Sequence, residues 1–327
     1  MAPKQIFEGI KIADFSWVGA GPQTAREFGE HGATVVRVES HRRPDALRVI
    51  PPFRDAKPGI DRSAFGTAYN TNKLGMSLDL SKPQGREIGL KLALWADIVT
   101  DGMTPGTMKR WGLDYESLRK HKPDIIMYST NQQGQYGPYS AFGSYGWAGA
   151  AQSGFFVLTG WPDQAPEPVY GAYTDFIAPW YLIVPLIAAL DYRRRTGKGL
   201  YLDQSQIESG INFLGASALD YTVNGRIGGR AGNRDPYMAP HSAYPCRGRD
   251  RWCTIAMRSD EEWRALCRAM GNPAWMQSPR FATLLGRKEN EDELDKLIGE
   301  WTKDYAAEQV MATLQAAGVP SAVVQTC

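Results

Sequence analysis

Apolar runs alternate with helical stretches along the N-terminal half of the chain. Residues 10–15 and 33–39 are short, apolar and rich in β-branched side chains, and a helical stretch begins near Gln23 and ends near residues 30–32. Two buried parallel strands joined by a helix are the usual outcome of such a pattern. The N-terminus therefore predicts a βαβ unit.

The alternation continues as far as about residue 203. We predict further strands at residues 77–80, 97–100, 124–130 and 200–203. Ser81 and Pro83 are suited to open a helix, whose apolar face then comprises Ile88, Leu92 and Trp95. A further helix is expected from Thr104 and Pro105 to Trp111, ended by Gly112. Alternating strands and helices indicate a doubly wound, mainly parallel α/β sheet, with ligands at the carboxyl ends of its strands.

The composition of the sequence changes at two places, once between the last two predicted sheet strands and once after them. Residues 132–154 are rich in Gly, Ser, Tyr and Gln, as in a loop that lines a site, and an apolar helix is expected at 176–192. After a Gly- and Arg-rich connection at 226–236, we expect a strand and three helices at residues 252–257, 259–270, 291–302 and 306–317. We therefore predict a large domain over residues 1–225, followed over 226–327 by a linker and a smaller α+β domain.

Composition narrows the class of protein. The 327 residues are 43% hydrophobic and 22% charged, which is globular composition and excludes a disordered chain. With 37 basic and 35 acidic residues the net charge is +2, and no polybasic block suggests nucleic acid.

Targeting and metal signals are lacking in the sequence. The apolar run at 176–190 contains Pro179 and Pro185 and is shorter than the ~20 residues that span a bilayer. The N-terminus has no apolar core of a signal peptide. Neither the four cysteines nor the four histidines have metal-ligand spacing. We expect a reduced cytoplasmic protein without a metal site.

The first chemical candidate is a glycine loop between the first strand and helix. Gly19, Gly21 and Thr24, with Glu39 ending the next strand, resemble a dinucleotide fingerprint. However, Pro22 removes one N–H that would face a phosphate, and any βαβ unit needs a tight turn here. Both interpretations remain open.

The second candidate is Asp175, where a loop meets the long apolar helix. Local sequence favours an N-cap; the functional alternative is a carboxylate nucleophile near helix N–H groups. Third, a set of basic residues follows the predicted strands and would suit phosphate if it converges on one sheet edge. The set comprises His41, Arg42, Arg43, Arg48, Lys73 and Arg110.

The order of these pieces resembles the family III CoA-transferases, which include formyl-CoA:oxalate and carnitine CoA-transferases. The likeness spans about residues 7 to 325, and the ordered set of stretches carries it rather than any single motif. The five stretches are Val18 to Pro22, Gly32 to Glu39, Asn72 and Lys73 leading into Leu78 to Leu80, Pro105 to Gly112, and Asp175 through the Arg-Thr-Gly-Lys-Gly run at 195–199.

The resemblance implies a Rossmann-like fold and reverses the interpretation of Asp175, which becomes the nucleophile. CoA and acyl-CoA are then substrates, and no permanently bound cofactor is implied. Phosphates would meet Lys73 and Arg110. The positions that match the family's CoA contacts are Val18, Gly19, Ala20, Lys73, Met103, Arg110, Trp111, Asn131 and Gln133.

The stretch from Gly228 to Asn233 matches a mobile glycine loop that covers the nucleophile in the family. Its glycines are Gly228, Gly229 and Gly232. The family also implies an interlocked homodimer that acts on small carboxylic acids. Here the sequence ends before the family's segment that returns to the large domain, so we expect that segment to be missing.

Departures from the family pattern bear on the substrate. Gly19 stands where formyl-CoA transferase has a glutamine, Gln133 replaces an aromatic residue and Ser40 a basic one. We therefore expect an acid larger than formate or oxalate. In the related α-methylacyl-CoA racemases a histidine matches Tyr145, so racemisation is disfavoured. Two alternatives stay open: a non-catalytic CoA-binding subunit of a two-chain transferase, and a nicotinamide-dependent oxidoreductase.

Overall fold

The chain folds into two compact units. A computed structural model describes residues 4–326. The first unit runs to Gly229, except that the segment Gly160–Ala165 belongs to the second unit, which otherwise begins at Arg230.

The first unit is built on a six-stranded sheet in which every strand pair is parallel. The strand order is β3-β2-β1-β4-β5-β6, and the doubly wound α/β class predicted above is confirmed. The strands are β1 (Lys11–Asp14), β2 (Thr34–Glu39), β3 (Lys73–Ser77), β4 (Ile98–Asp101), β5 (Ile126–Asn131) and β6 (Leu200–Ser205).

Among the six predicted strands of this sheet, only the third is clearly misplaced. Residues 77–80 include two leucines, but β3 ends at Ser77. This strand is at the edge of the sheet and pairs only with β2, so all five of its residues are exposed or half-buried and they form no apolar run. Leu80 instead packs into the core beneath the next helix.

Ten helices of the first unit lie among the described residues. They are α1 (Ala20–Glu30), α2 (Ala64–Ala68), α3 (Pro83–Trp95), α4 (Thr107–Trp111), α5 (Tyr115–Leu118), α6 (Gly146–Ser153), α7 (Phe155–Leu158), α8 (Tyr173–Thr196), α9 (Gln206–Phe213) and α10 (Gly215–Asn224). One sheet face packs on Phe28 of α1 and Leu186 of α8. The other face packs on Leu92 of α3 and Leu118 of α5.

The predicted apolar face of α3 is wrong. Leu92 is buried, but Ile88 is 44% exposed and Trp95 37% exposed. Gly85, Gly89, Leu92 and Ala93 form the buried face instead, because the small residues let the helix approach the core. The following helix, α4, begins at Thr107 rather than at Pro105, after Gly106 in a left-handed conformation, and ends at Gly112 as predicted.

The long apolar helix α8 begins earlier than its hydrophobic run suggests. Its N-cap is Ala172, so Asp175 lies inside the first turn. By length and composition this helix alone, among residues 4–326, would be able to cross a membrane, but 39% of its apolar window is buried within the protein. In this fold it serves as a core helix on the sheet.

The second unit has an antiparallel sheet in the order β7-β8-β9. Its elements are β7 (His241–Pro245), β8 (Trp252–Ala256), α11 (Asp260–Ala269), α12 (Leu284–Glu289), α13 (Glu291–Thr302), α14 (Ala307–Ala316) and β9 (Ser321–Val323). Four short 3-10 helices occur in the two units, at Ala46–Val49, Arg54–Ala56, Ala274–Gln277 and Pro279–Phe281.

Candidate active site

A cavity of about 890 Å³ opens at the carboxyl ends of the strands in the first unit. Its walls come from the loops after β1, β2, β4 and β5, from the start of α9, and from residues 140–145 before α6. The sheet order reverses between β1 and β4, and in doubly wound sheets ligands bind at such a switch point.

Asp175 reaches this cavity although it is only 8% exposed. It is not the helix cap, since Ala172 occupies that position and accepts the Asp175 N–H at 2.9 Å. Two glycines enclose the carboxylate: a Cβ placed on Gly19 would lie 2.6 Å from the Asp175 Cγ, and one placed on Gly146 would lie 2.8 Å from it. Any larger residue at either position would collide with the carboxyl group.

Burial dominates the electrostatics of Asp175. It raises the pKa of the carboxyl to about 7, although a hydrogen bond from the Gln206 side chain and one from the Gly146 backbone N–H act in the opposite direction. The positive end of the α8 dipole also favours the ionised form. Beside it, burial and the Asp175 charge raise the pKa of Tyr69 to about 12. Asp175 is therefore a carboxylate that exchanges its proton near neutral pH.

The turn that brings Gly19 to Asp175 is strained at Val18. This β-branched residue has φ +65°, a conformation rare outside glycine. Its N–H donates to Asp45 Oδ2 at 2.9 Å, and Arg37 donates to the same oxygen at 2.5 Å. Because Asp45 is 2% exposed, a buried ion pair fixes the turn.

Lys73 lies outside the cavity, contrary to its predicted phosphate contact. Its ammonium group is buried and donates to Asp14 Oδ2 at 2.8 Å, to the Pro22 carbonyl at 2.8 Å and to Asn70 Oδ1 at 3.0 Å. Burial alone would raise the pKa of Asp14, but Lys73 and Arg37 outweigh it and lower this pKa to about 2. Since all three donors are used, the arrangement supports a structural ion pair between strands.

Three guanidinium groups at the cavity wall are candidates to bind an anion. Arg42, Arg43 and Arg110 line it, and none of them forms a salt bridge with any residue between 4 and 326. Of the other basic candidates, Arg48 pairs with Glu39 at 2.5 Å and with Asp61 at 2.6 Å, and His41 does not line the cavity. Because Arg48 holds the Glu39 carboxylate, Glu39 is poorly placed to bind the ribose of a dinucleotide.

Most of the other predicted contact residues converge on the cavity. Those that line it are Val18, Gly19, Ala20, Met103, Arg110, Trp111 and Asn131. Gln133 does not, because its side-chain amide donates to Gln152 at 2.8 Å. The three predicted lid glycines, Gly228, Gly229 and Gly232, are not part of the lining either. The arrangement therefore favours most of the predicted contacts but not those of Lys73 and Gln133.

Sequence reasoning missed two glutamines and a helix at this site. Gln132 and Gln206 line the cavity, and the Gln132 Nε2 donates to Gln206 Oε1 at 2.6 Å. The helix α6 lies within the segment 132–154 that we interpreted as a loop, and its first residue is Gly146. Gln132 follows β5 and Gln206 follows β6, so the rule that ligands meet strand ends was the signal available. No group of side chains suited to a metal ion occurs in the part of the chain that the structure describes.

Comparisons with known proteins agree on one family. The model of CoA-transferase family III matches residues 7–327. The chain is 30% identical to a succinyl-CoA–D-citramalate CoA-transferase of Chloroflexus aurantiacus, over 99% of this chain and 79% of that one. It is also 30% identical to an acetyl-CoA:oxalate CoA-transferase of Acetobacter aceti, over 97% and 80%. A solved CAIB/BAIF family protein from Brucella suis superposes with a TM-score of 0.91 at 30% identity, covering 99% of this chain and 85% of that one.

Proposed function

The chain belongs to CoA-transferase family III, and we propose that it moves CoA from an acyl-CoA to a free carboxylic acid through covalent intermediates on Asp175. One observation carries the proposal. Asp175 is a carboxylate in the cavity, packed between Gly19 and Gly146, and it has a pKa of about 7. A carboxylate partly stripped of water is a stronger nucleophile than one in bulk solvent, and its fixed position supplies orientation.

The first half-reaction consumes the donor thioester. An Asp175 oxygen attacks the acyl carbon, the C–S bond breaks, and a mixed anhydride and CoA thiolate form. The thiolate then attacks the aspartyl carbonyl carbon. The anhydride C–O bond breaks, the donor acid leaves as a carboxylate, and an aspartyl-CoA thioester remains.

The second half-reaction reverses these steps with the acceptor acid. The acceptor carboxylate attacks the aspartyl thioester, releasing thiolate and forming a new anhydride. The thiolate then attacks the acceptor's acyl carbon, which frees the Asp175 carboxylate. Water must be excluded while the anhydride exists, and covering by the glycine loop at 228–233 stays a prediction.

The charges on the cavity wall support a CoA thioester as substrate. Arg42, Arg43 and Arg110 carry no carboxylate partner within residues 4–326, and guanidinium groups bind phosphate through paired hydrogen bonds. The acids named for the two relatives are small carboxylic acids, and we propose the same class here. The identity of the acid stays open, and no permanently bound cofactor enters the scheme.

The test is to trap the acylated aspartate. Purified protein is incubated with acyl-CoA, treated with hydroxylamine and digested, and a hydroxamate is expected on the peptide that contains Asp175. Asp203, a half-buried carboxylate outside the cavity lining, is the internal control and should stay unmodified. Full transfer activity in Asp175→Ala, without a tagged peptide in the wild type, would refute the mechanism. A purified chain active by itself would dispose of the alternative of a non-catalytic subunit.

We also propose that the enzyme is a homodimer. Trp180, Val184 and Ile187 lie on one face of α8 and are 61%, 68% and 45% exposed, and α10 has no buried residue. Monomers rarely leave such apolar faces in water. Sedimentation velocity should give a dimer, and Val184→Glu should shift it toward monomer. The interlocked form stays a prediction.

A cytoplasmic location is supported by the free thiols Cys246, Cys253 and Cys267.

A further inference from the structure

Two buried glutamines at the ends of neighbouring strands line the cavity that Asp175 reaches. Asn131 of β5 is in register with Ser205 of β6, so the residues that follow them, Gln132 and Gln206, leave the sheet side by side. Each is 6% exposed, and both line the cavity. Burying two amides beside a reacting carboxylate is costly unless their hydrogen bonds are arranged.

The hydrogen bonds between these groups have one consistent direction. A carboxylate only accepts, and a hydrogen bond from the Gln206 side chain lowers the pKa of Asp175, so the Gln206 Nε2 is the group that serves Asp175. The Gln206 Oε1 then faces Gln132, whose Nε2 donates to it at 2.6 Å. The Thr174 hydroxyl is 3.4 Å from the same oxygen and 3.0 Å from the Gly146 carbonyl. Gln132 therefore fixes which end of the Gln206 amide meets Asp175.

Gln132 is itself held on several sides. Its backbone carbonyl accepts the Ser205 hydroxyl at 3.0 Å and the Ile207 N–H at 3.2 Å. Its side-chain Oε1 is buried without a hydrogen-bond partner in the described part of the chain. A Cβ on Gly149 of α6 would lie only 2.1 Å from this oxygen. An unpaired buried acceptor costs about 1–3 kcal/mol of stability, so the Gln132 side chain keeps its donor on Gln206 in spite of that cost.

Resting on the function proposed above, we propose that Gln206 is a catalytic residue that donates a hydrogen bond to the Asp175 carbonyl oxygen during the reaction. Gln132 is the positioning residue that sets the direction of the Gln206 amide. When thiolate attacks the aspartyl carbonyl carbon, the π electron pair moves onto that oxygen, where the N–H groups of Gln206 and Gly146 face it. The pair returns as the anhydride C–O bond breaks and the donor acid leaves as a carboxylate. No proton is transferred in this step.

Substitutions affect the two hydrogen-bond donors, the Gly146 N–H and the Gln206 amide, differently. The Gly146 N–H is a backbone group that these substitutions do not remove, whereas the Gln206 donor is a side-chain group whose direction depends on Gln132. Preorganised donors of this kind act on the charge that develops in the transition state. Their loss should therefore lower kcat more than it raises KM for acyl-CoA.

Four variants separate this role from a structural one. Gln206→Met removes the donor, Gln132→Met frees the Gln206 amide to rotate, and Gln132→Glu offers a carboxylate that attracts the Gln206 N–H away from Asp175. The matched control is Gln204→Met. Gln204 is also buried, at 8% exposure, but its amide bonds Thr130, Ala178 and Ser209 instead of Asp175.

The first measurement does not depend on turnover. Carbon-13 spectra of aspartate-labelled protein follow the titration of the Asp175 carboxyl, identified as the signal lost in Asp175→Asn. Because a donor to the ionised form is lost, Gln206→Met and Gln132→Glu should raise its midpoint by about one pH unit. Gln204→Met should leave the midpoint unchanged.

The second measurement is steady-state transfer. We expect kcat to fall about 100-fold or more in Gln206→Met and about tenfold in Gln132→Met, with KM for acyl-CoA within about threefold of wild type. An unmoved midpoint in Gln206→Met, or an equal loss of kcat in Gln204→Met, would overturn the assignment. Failure of the wild type to form the Asp175 hydroxamate would instead refute the proposed function, so the two failures are distinguishable.

Discussion

At the scale of single residues, Asp175 combines two opposing requirements. Burial makes its carboxylate reactive but disfavours the charge that reactivity needs, and this raises its pKa to about 7. The donors Gln206 and Gly146 recover part of that loss. The folded protein therefore carries the ionised side chain at a cost in stability, as is common for catalytic groups.

The variant Asp175→Asn should be more stable than the wild type at alkaline pH. The unfolded carboxyl ionises near pH 3.8 and the folded one near 7, so the wild type loses stability as pH rises through this window. Asparagine carries no such charge. We expect a gain of roughly 4 kcal/mol at pH 8 that shrinks toward pH 4, measured by urea unfolding.

Asp14→Asn is the control of opposite sign. The folded pKa of Asp14 is lowered to about 2, so its ionised form stabilises the protein above about pH 4, and this stabilisation is lost as pH falls toward 2. The substitution should destabilise the protein at neutral pH. A gain in Asp175→Asn that is equal at pH 5 and pH 8 would contradict the account given for that residue.

Residue types alone indicated only part of the site. An acidic residue before an apolar helix is usually read as an N-cap, and only the family resemblance indicated that Asp175 is a nucleophile instead. Lys73 has the charge that suits a phosphate, but its ammonium is used up by three acceptors, of which Asp14 and Pro22 are 59 and 51 residues away along the chain. Gln132 and Gln206 have no unusual spacing in the chain, because the register of β5 with β6 is what brings them together.

At the scale of elements, glycines decide how α3 packs. Gly85 lies so close to the preceding loop that a Cβ would be 2.1 Å from the Asp79 carbonyl oxygen. The helix therefore packs through Gly85 and Gly89 beside Leu92 and Ala93, and the large apolar residues Ile88 and Trp95 are left partly exposed.

Gly85→Ala should destabilise the first unit although alanine favours helices. The backbone must move to admit the methyl group, which costs about 1–3 kcal/mol and exceeds the gain of about 1 kcal/mol in helix propensity. Gly75→Ala is the matched control, because nothing lies within 4 Å of its Cβ and it should be neutral or slightly stabilising. Urea unfolding compares the two, and equal midpoints would contradict the close packing.

Central elements were predictable because burial leaves a signal in the sequence. The strands β1, β2, β4 and β5 are buried and each contains two or three consecutive apolar residues, which the sequence pattern located within a few residues. The edge strand β3 has no such run, and α6 is made largely of glycine, alanine and polar residues. Their positions depend on packing against other elements, which the local pattern does not record.

At the scale of the whole molecule, a net charge of only +2 does not reveal that three guanidinium groups without a salt bridge to any residue between 4 and 326 line one cavity. Arg42 and Arg43 follow β2, Arg110 lies in α4 after β4, and all three line the cavity. Because parallel strands end at the same edge, residues distant in sequence act there as one anion site. The sequence predicted this convergence from strand positions, but not which cations would be taken by internal carboxylates.

Arg43→Gln and Arg110→Gln should each weaken CoA binding by about tenfold, since a hydrogen bond to a charged group contributes about 1.5–3 kcal/mol. Because the interaction is with phosphate, the loss should shrink as salt is raised. Arg119→Gln is the matched control, because Arg119 is exposed and pairs with Glu116 away from the cavity. Calorimetry with CoA at low and high salt measures all three variants. An equal loss in Arg119→Gln would show that binding follows total charge rather than this wall. Unchanged binding in both cavity variants would place the phosphates elsewhere.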